Sequence, residues 1–303
     1  MGYKLAGYEV IGNCEIDKAI NEVYRKNLHP KKTYLCDIRE LPDKLDGLEV
    51  DILDGSPPCS TFSTAGLREK AWGVEKAFRE GQKKQRLDDL FFAFLDVAEV
   101  VRPKVIVAEN VEGIIKGKAK GYCREIIDRF DELGYTCQMF LLDSSVMGVP
   151  QARRRVFFIG AKKELNYPKL KLEFSEKPYT FGEVRSKHSG AELSQLNKRF
   201  IQKVRPGETM AKDAALREFG KDSYFSTKLL WDGNTPMTVT SSGSFIRMCD
   251  KTYLTDDDLR NVQSFPQDYD FGGQAVQYVC GMSVPPVMMA QISTEIKDQW
   301  LLA

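Results

Sequence analysis

LEVDILDGSPPC, residues 48–59, is an apolar run that ends in an acidic and a glycine position and then turns through two prolines onto a cysteine. The run reads as a β-strand, and Pro57 and Pro58 fix two φ angles, so the next side chain is held in place at the strand's carboxyl end. A cysteine that only packs a core would lie more naturally inside the apolar run. Working outward, YEVIGNCEID (8–17), PKVIVAENV (103–111), YTCQMFLLDSS (135–145) and RVFFIGAKK (155–163) also read as strands. Helical spacing separates several of them, in KAINEVYRKNL (18–28), LDDLFFAFLDVAEVV (87–101) and YCREIIDRFDELG (122–134), where Gly134 suits a C-cap. Strand, helix, strand predicts an α/β class with a largely parallel sheet, whose ligands gather at the carboxyl ends of the strands. Glu15, Asp37, Cys59, Glu109 and Asn110 fall at those ends.

Beyond Gly160 this rhythm breaks. Residues 161–250 scatter Lys, Pro, Gly and Ser, include short β-like pieces such as TPMTVTSSGSFIR (235–247), and predict a smaller, loop-rich second domain. Helices return at LTDDDLRNVQSF (254–265), with Thr255 as N-cap, and at VPPVMMAQISTEIKDQWLL (284–302), entered through Pro285 and Pro286. The expected division is a sheet-based domain of residues 1–161 plus 267–303, and a smaller, loop-rich domain of residues 162–266.

Composition narrows the class. The 303 residues are 42% hydrophobic with a formal net charge of +1, and no run of about eighteen apolar residues suggests a membrane span. The start, MGYKLAGYEV, lacks a signal-peptide pattern, so the expected location is cytoplasmic, with no membrane partner. Seven cysteines without any CxxC pair favour neither a disulfide framework nor a metal site. The charge is uneven, since residues 161–250 hold 16 Lys+Arg against 11 Asp+Glu. That bias fits an anionic partner and equally an ordinary solvated surface.

Three positions carry chemistry. Cys59 follows the rigid proline turn and precedes a polar Ser-Thr segment; inert buried cysteines are commoner, but few sit at such a strand end. Glu109 ends the apolar strand VIVAEN, where desolvation would raise its pKa and let it donate a proton; a strand-end ion pair is the plainer alternative. In QARRRVFFIG (151–160), side-chain alternation puts Arg153 and Arg155 on one face and Arg154 on the other, which makes either a surface charge run or an anion or carbonyl clamp.

In order along the chain, PPC with Ser60, ENV (109–111), QARRR (151–155), LTDDDLRNVQSFP (254–266) and GMSVPP (281–286) resemble the ordered motifs of the cytosine-C5-specific DNA methyltransferases. Five motifs in sequence are specific where PPC or ENV alone would not be. The resemblance implies a Rossmann-like S-adenosylmethionine-dependent methyltransferase sheet with a small target-recognition domain. It also implies transfer of a methyl group from S-adenosyl-L-methionine to C5 of a cytosine rotated out of double-stranded DNA. Cys59 matches the nucleophile that adds to C6, Glu109 the acid at N3, Arg155 the donor to O2, and Arg153 a residue that orients the site, with Gln151 completing the motif. Glu15 resembles the acid that holds the ribose hydroxyls, Ile16 would pack on adenine, and Asp37 with Ile38 would read its amino edge. Pro57, Ser283 and Val284 would line the methionine side. No metal is implied. Residues 60–86 match the loop that fills the gap left by the base, with Arg68, Lys70, Lys76, Arg79, Lys83, Lys84 and Arg86 for phosphates. Base-edge readers are expected between about 165 and 245.

The sequence departs from the pattern in places. The family's opening strand and phenylalanine-glycine turn are not found ahead of MGYKLAGYEV, which predicts unpaired strand edges. Met282 stands where asparagine is usual, and Asn261 where arginine is usual, with Arg260 one position early. A relative that binds DNA without catalysis, and a tRNA-methylating relative, are the alternative readings. Settings in a restriction-modification pair with a cognate endonuclease, or in a phage, fit the same resemblance.

Overall fold

The computed structural model describes residues 1–45, 47–58, 89–117, 119–220 and 226–302. Cys59 and the basic loop of residues 60–86 lie outside the described residues. A short helix, α1 (Gly2–Leu5), leads to strand β1 (Gly12–Cys14), helix α2 (Lys18–Leu28) and strand β2 (Lys32–Tyr34). Asp17 caps α2 by accepting from the backbone N–H groups of Ala19 and Ile20, the device that starts a helix directly after a strand. Strand β3 (Ile52–Gly55) then runs into the proline turn, and helix α3 (Leu90–Val101), strand β4 (Val105–Val111), helix α4 (Ala119–Glu132), β5 (Tyr135–Asp143) and β6 (Arg154–Lys162) follow.

Strands β3–β4–β6–β5 form one sheet, and β1 and β2 form a separate parallel pair. The pair β3–β4 is parallel, as expected, but β6 runs antiparallel to both β4 and β5. Strands β3, β4 and β5 run the same way, so the expected largely parallel sheet carries one reversed strand. Parallel neighbours need a crossover of a dozen or more residues, and the connection between Asp143 and Arg154 is too short for that, so the chain doubles back.

Strand β4 is buried on both faces, which explains its continuous apolar run. Ile106 and Ala108 point with Val156 and Phe158 of β6 into a core made with α3 and α4, including Phe94, Leu95, Ile126 and Phe130. Val105 and Val107 point with Phe157 and Ile159 to the other face, against Met288, Met289 and Ile292. These last belong to a C-terminal helix defined below. Each such side chain contributes about 1.5–3 kcal/mol on burial, so this sheet is the part of the molecule best able to hold a site rigid. Gly55 is required by the packing, since a Cβ there would lie 2.4 Å from the Phe94 ring.

The middle of the chain holds three helices that irregular spacing concealed, α5 (Phe181–Val184), α6 (Gln195–Ile201) and α7 (Ala211–Phe219), and strands β7 (Thr227–Leu230), β8 (Ser244–Arg247) and β9 (Thr252–Tyr253). The helices are too short to display a full apolar period. Helices α6 and α7 pack on a small sheet, β7–β8–β9, through Phe200, Ala211, Ala214, Leu229 and Ile246, while Phe181 of α5 joins a cluster with Leu230, Phe245 and Leu259. Helix α8 (Asp256–Val262) begins at the expected capping box of Thr255 and Asp258, and α9 (Val276–Met282) and α10 (Pro286–Ile296) complete the chain.

Candidate active site

The face of the sheet that carries Val105, Val107, Phe157 and Ile159 also carries Glu109 and Arg155, because side chains alternate along a strand. In the register Glu109 lies opposite Phe157 and Val111 opposite Arg155, so the Glu109 and Arg155 side chains are diagonal neighbours. Arg155 Nε donates to Glu109 Oε1 at 2.8 Å, and the side chains are 14% and 12% exposed. Arg155 Nη1 donates to the Arg154 carbonyl at 2.7 Å. The second oxygen of Glu109 and Nη2 of Arg155 are not used by these two bonds. The pairing is thus the plainer of the two sequence readings for Glu109, and it sits at the carboxyl end of β4, where the other reading also put it.

Asn110 points to the opposite face and joins this strand to the proline turn. Its Nδ2 donates to the Pro57 carbonyl at 3.2 Å, and its Oδ1 accepts from its neighbour's N–H, that of Val111. Pro57 is buried, and two residues beyond it the chain reaches Cys59. Sequence reasoning picked out the motif ENV without giving Asn110 a task; the buried amide after the acid was the available signal.

Arg153 and Arg154 diverge as alternation requires. Arg154 is exposed and pairs with Glu112 at 3.2 Å. Arg153 is buried, and donates from Nη1 to the Val239 carbonyl at 2.8 Å and from Nη2 to the Gly281 carbonyl at 2.9 Å. Burial, and then the neighbouring Arg155 cation, push it down to about 9. Its Nε has no hydrogen-bond partner among the described residues. Gln151 extends the same linkage. It accepts from the Val239 N–H at 2.7 Å and donates to Gln263 Oε1 at 2.5 Å, and Gln263 donates on to the Ser283 carbonyl at 2.8 Å. Three of the sequence motifs, QARRR, the α8 segment and GMSVPP, are therefore stitched together by one chain of buried amides.

The unusual positions in the later motifs have local partners. Asn261 donates to the Val184 carbonyl at 2.9 Å, and Arg260 pairs with Asp257 at 3.0 Å while lying over the Phe271 ring. Met282 is exposed. A further element that sequence reasoning missed is Arg247, which is fully buried and paired at 3.0 Å with the equally buried Asp258. Its isolated place in a short strand gave no warning.

Glu15, Ile16, Asp37 and Ile38 lie just past the ends of β1 and β2. Glu15 Oε1 accepts from the Asp17 N–H at 2.9 Å, and burial raises its pKa. Ile16 is 42% exposed, an apolar face left open beside a carboxylate. Asp37 caps the turn after β2 and pairs with Arg39 at 2.9 Å, while Ile38 packs against the α3 and α4 core. A carboxylate beside an open apolar side chain, with a second carboxylate just beyond the neighbouring strand, is a donor set that fits the adenosine of a nucleoside cofactor. Ser283 donates to the Val279 carbonyl at 2.7 Å, and Val284 packs on the α10 side of the sheet. The structure thus brings Glu109 and Arg155 into contact, with Arg153 beside them, and groups Glu15 with Asp37 at the ends of the β1–β2 pair.

A mixed α/β sheet with polar side chains at its strand ends fits a Rossmann-like fold. Solved structures agree on the fold. A prophage-encoded chain from Escherichia coli, described as a DNA modification methyltransferase, aligns with 98% of this chain and 94% of its own at a TM-score of 0.71 and 17% identity. A DNMT2 variant from Spodoptera frugiperda aligns with 97% and 95% at a TM-score of 0.65 and 16% identity. The family model for C-5 cytosine-specific DNA methylases matches residues 1–298, and the chain belongs to that family. Among curated relatives, the Type II methyltransferase M.FnuDI of Fusobacterium nucleatum is 33% identical over 189 residues, 62% of this chain and 49% of its own. M1.HphI of Haemophilus parahaemolyticus is 25% identical over 321 residues, covering 98% of this chain and 82% of its own. The matched region spans about half the length of the more identical curated relatives. Among the described residues, no helix is long and apolar enough to cross a membrane.

Proposed function

We propose that this chain methylates C5 of cytosine in double-stranded DNA, using S-adenosyl-L-methionine. The observation that carries this reading is the Arg155–Glu109 contact at 2.8 Å on one sheet face, with the adjacent Asn110 bound to the turn that leads to Cys59. An acid and a guanidinium side by side suit the N3 and O2 edge of a cytosine. Cys59 adds through its thiolate to C6, because C5 is too weak a nucleophile unaided. Glu109 takes up a proton from solvent on the oxygen that Arg155 leaves unused and delivers it to N3 as charge develops on the ring, and Arg155 holds O2 with a guanidinium nitrogen outside its bond to Glu109. Arg153 orients the strand by holding two carbonyls of the neighbouring segments. When bound, S-adenosylmethionine supplies an electrophilic methyl group. Loss of the C5 proton and β-elimination then free Cys59.

Glu15, with Ile16, would hold the ribose and adenine, Asp37 and Ile38 the amino edge, and Pro57, Ser283 and Val284 the methionine side. Residues 162–266 would form the recognition domain and residues 1–161 plus 267–303 the catalytic one. The modest basic excess between residues 161 and 250, and the basic run within 60–86, fit phosphate contacts. Relatives described as Type II methyltransferases support a setting beside a cognate restriction endonuclease.

The test is transfer of a labelled methyl group to duplex DNA, with tRNA as the competing substrate. Transfer to DNA that disappears in Cys59→Ala supports the reading. Transfer retained in that variant overturns the covalent mechanism, and DNA binding without any cofactor binding replaces the enzyme with a binding protein.

A further inference from the structure

We infer that Cys14 and Cys36 form a reversible disulfide across the ends of β1 and β2, and that closing it weakens cofactor binding by displacing Glu15 and Asp37. The second half rests on the function proposed above; the first rests on the two sulfurs alone. Cys14 is the last residue of β1, in register with Tyr34, and Cys36 lies two residues further along the neighbouring chain. Their Sγ atoms are 3.9 Å apart, and both residues are half-buried, so a small oxidant can reach them. Cys14 also points its thiol at the Cys36 carbonyl, 3.6 Å away. By contrast Cys123 and Cys280 are buried.

The two sulfurs are not equivalent. Burial, and then the neighbouring Cys36, push the Cys14 thiol up to about 12, so it keeps its proton. The Lys44 ammonium lies near Cys36 and is itself held by Glu40 at 2.7 Å. Either sulfur can meet an oxidant first; with Cys36 as the attacking sulfur, Cys14 resolves the product. With hydrogen peroxide as oxidant, the Cys36 sulfur attacks one oxygen, the O–O bond breaks, and the departing hydroxide takes up the thiol proton as water. The Cys14 sulfur then attacks Cys36, the S–O bond of the sulfenic acid breaks, and a second water leaves with the Cys14 proton. Two thiols and one peroxide become one disulfide and two waters. A low-molecular-weight thiol reverses the reaction by exchange.

A disulfide needs its sulfurs at about 2.0 Å, so they must approach by nearly half of the present separation. Side-chain rotation supplies part of that movement and the strand ends supply the rest. Those ends carry Glu15, one residue from Cys14, and Asp37, one residue from Cys36. The neighbouring residues therefore move with the bond.

The experiment treats the full chain with hydrogen peroxide, alkylates the remaining thiols, and maps peptides by mass spectrometry, before and after dithiothreitol. A Cys14–Cys36 linked peptide that dithiothreitol removes is expected. Absence of that peptide under conditions that oxidise the exposed Cys249 overturns the disulfide. In parallel, S-adenosylmethionine affinity is measured by calorimetry on reduced and oxidised chain and on Cys14→Ser and Cys36→Ser. A loss of at least tenfold on oxidation, absent from both variants, is expected. A linked peptide with unchanged affinity overturns the displacement of Glu15 and Asp37. Failure of the reduced chain to bind the cofactor overturns the function proposed for those residues, and the peptide map still decides the disulfide.

Discussion

Arg155 Nε and Glu109 Oε1 lie 2.8 Å apart on adjacent antiparallel strands, so the acid and the cation are positioned by sheet register rather than by loops. Two consequences follow from the proposed roles. Glu109→Gln keeps the shape and a hydrogen-bonding end but removes the proton donor, and methyl transfer should fall by about 100-fold or more while DNA binding changes little. Arg155→Ala should lower transfer comparably and leave Glu109 without its partner. Single-turnover transfer, with circular dichroism to verify folding, separates both from loss of structure. Near-normal rates in both variants would remove the pair from the mechanism.

Asn110 holds the Pro57 carbonyl from the next strand, and Cys59 is two residues further along the sequence. Asn110→Ala removes a buried donor and leaves that carbonyl unsatisfied, at about 1–3 kcal/mol. The proposed function adds a readout that instability would not produce. Alkylation of Cys59 by a cytosine-sized reagent should change in rate, while alkylation of the exposed Cys249 should not. Equal effects on both cysteines would indicate general loosening.

The buried pair of Arg247 and Asp258 ties β8 to the start of α8. Arg247→Met strands a buried carboxylate and should cost about 3–5 kcal/mol in urea denaturation. Asp258→Asn combined with Arg247→Met should recover part of that loss, because the second change removes the orphaned charge. A double variant no more stable than the single one would show that packing and the Thr255 cap, rather than charge, dominate this junction.

Lys228 is half-buried, donates to the Thr238 carbonyl, and lies over the Phe245 ring. Burial, and then Arg153, push its ammonium down to about 8. Its folded value lies below its unfolded one, so the unfolded chain holds more protons between about pH 8 and the ordinary lysine value, and stability from this group rises with pH across that window. Below about pH 8 the full cost of burying the charge is present. Lys228→Met should therefore be more favourable, relative to the parent chain, at neutral pH than near pH 10. A difference in melting temperature that does not shrink as pH rises would contradict the assignment.

Much was legible in the residues before any coordinates. The strand at LEVDILDG, the apolar run VIVAEN, the Thr255 cap and the proline entry to α10 each follow from local rules, because a strand buried on both faces, a capping side chain and a fixed φ leave marks within a few residues. The ordered motifs were equally local. The short helices between residues 181 and 219 left no such mark, being too brief to show a period.

Residue types and their order determined the sheet strands and the longer helices, the strand-end positions of Glu15, Asp37, Glu109 and Asn110, and the family. Only the tertiary structure decided that β6 reverses beside β4, since direction depends on which strands meet and not on their own residues. That reversal sets Arg155 against Glu109. The same holds for Arg247 with Asp258, and for the linkage from Gln151 through Gln263 to Ser283. A buried polar group must find a partner, but the sequence does not state which distant one will be within reach when the chain closes.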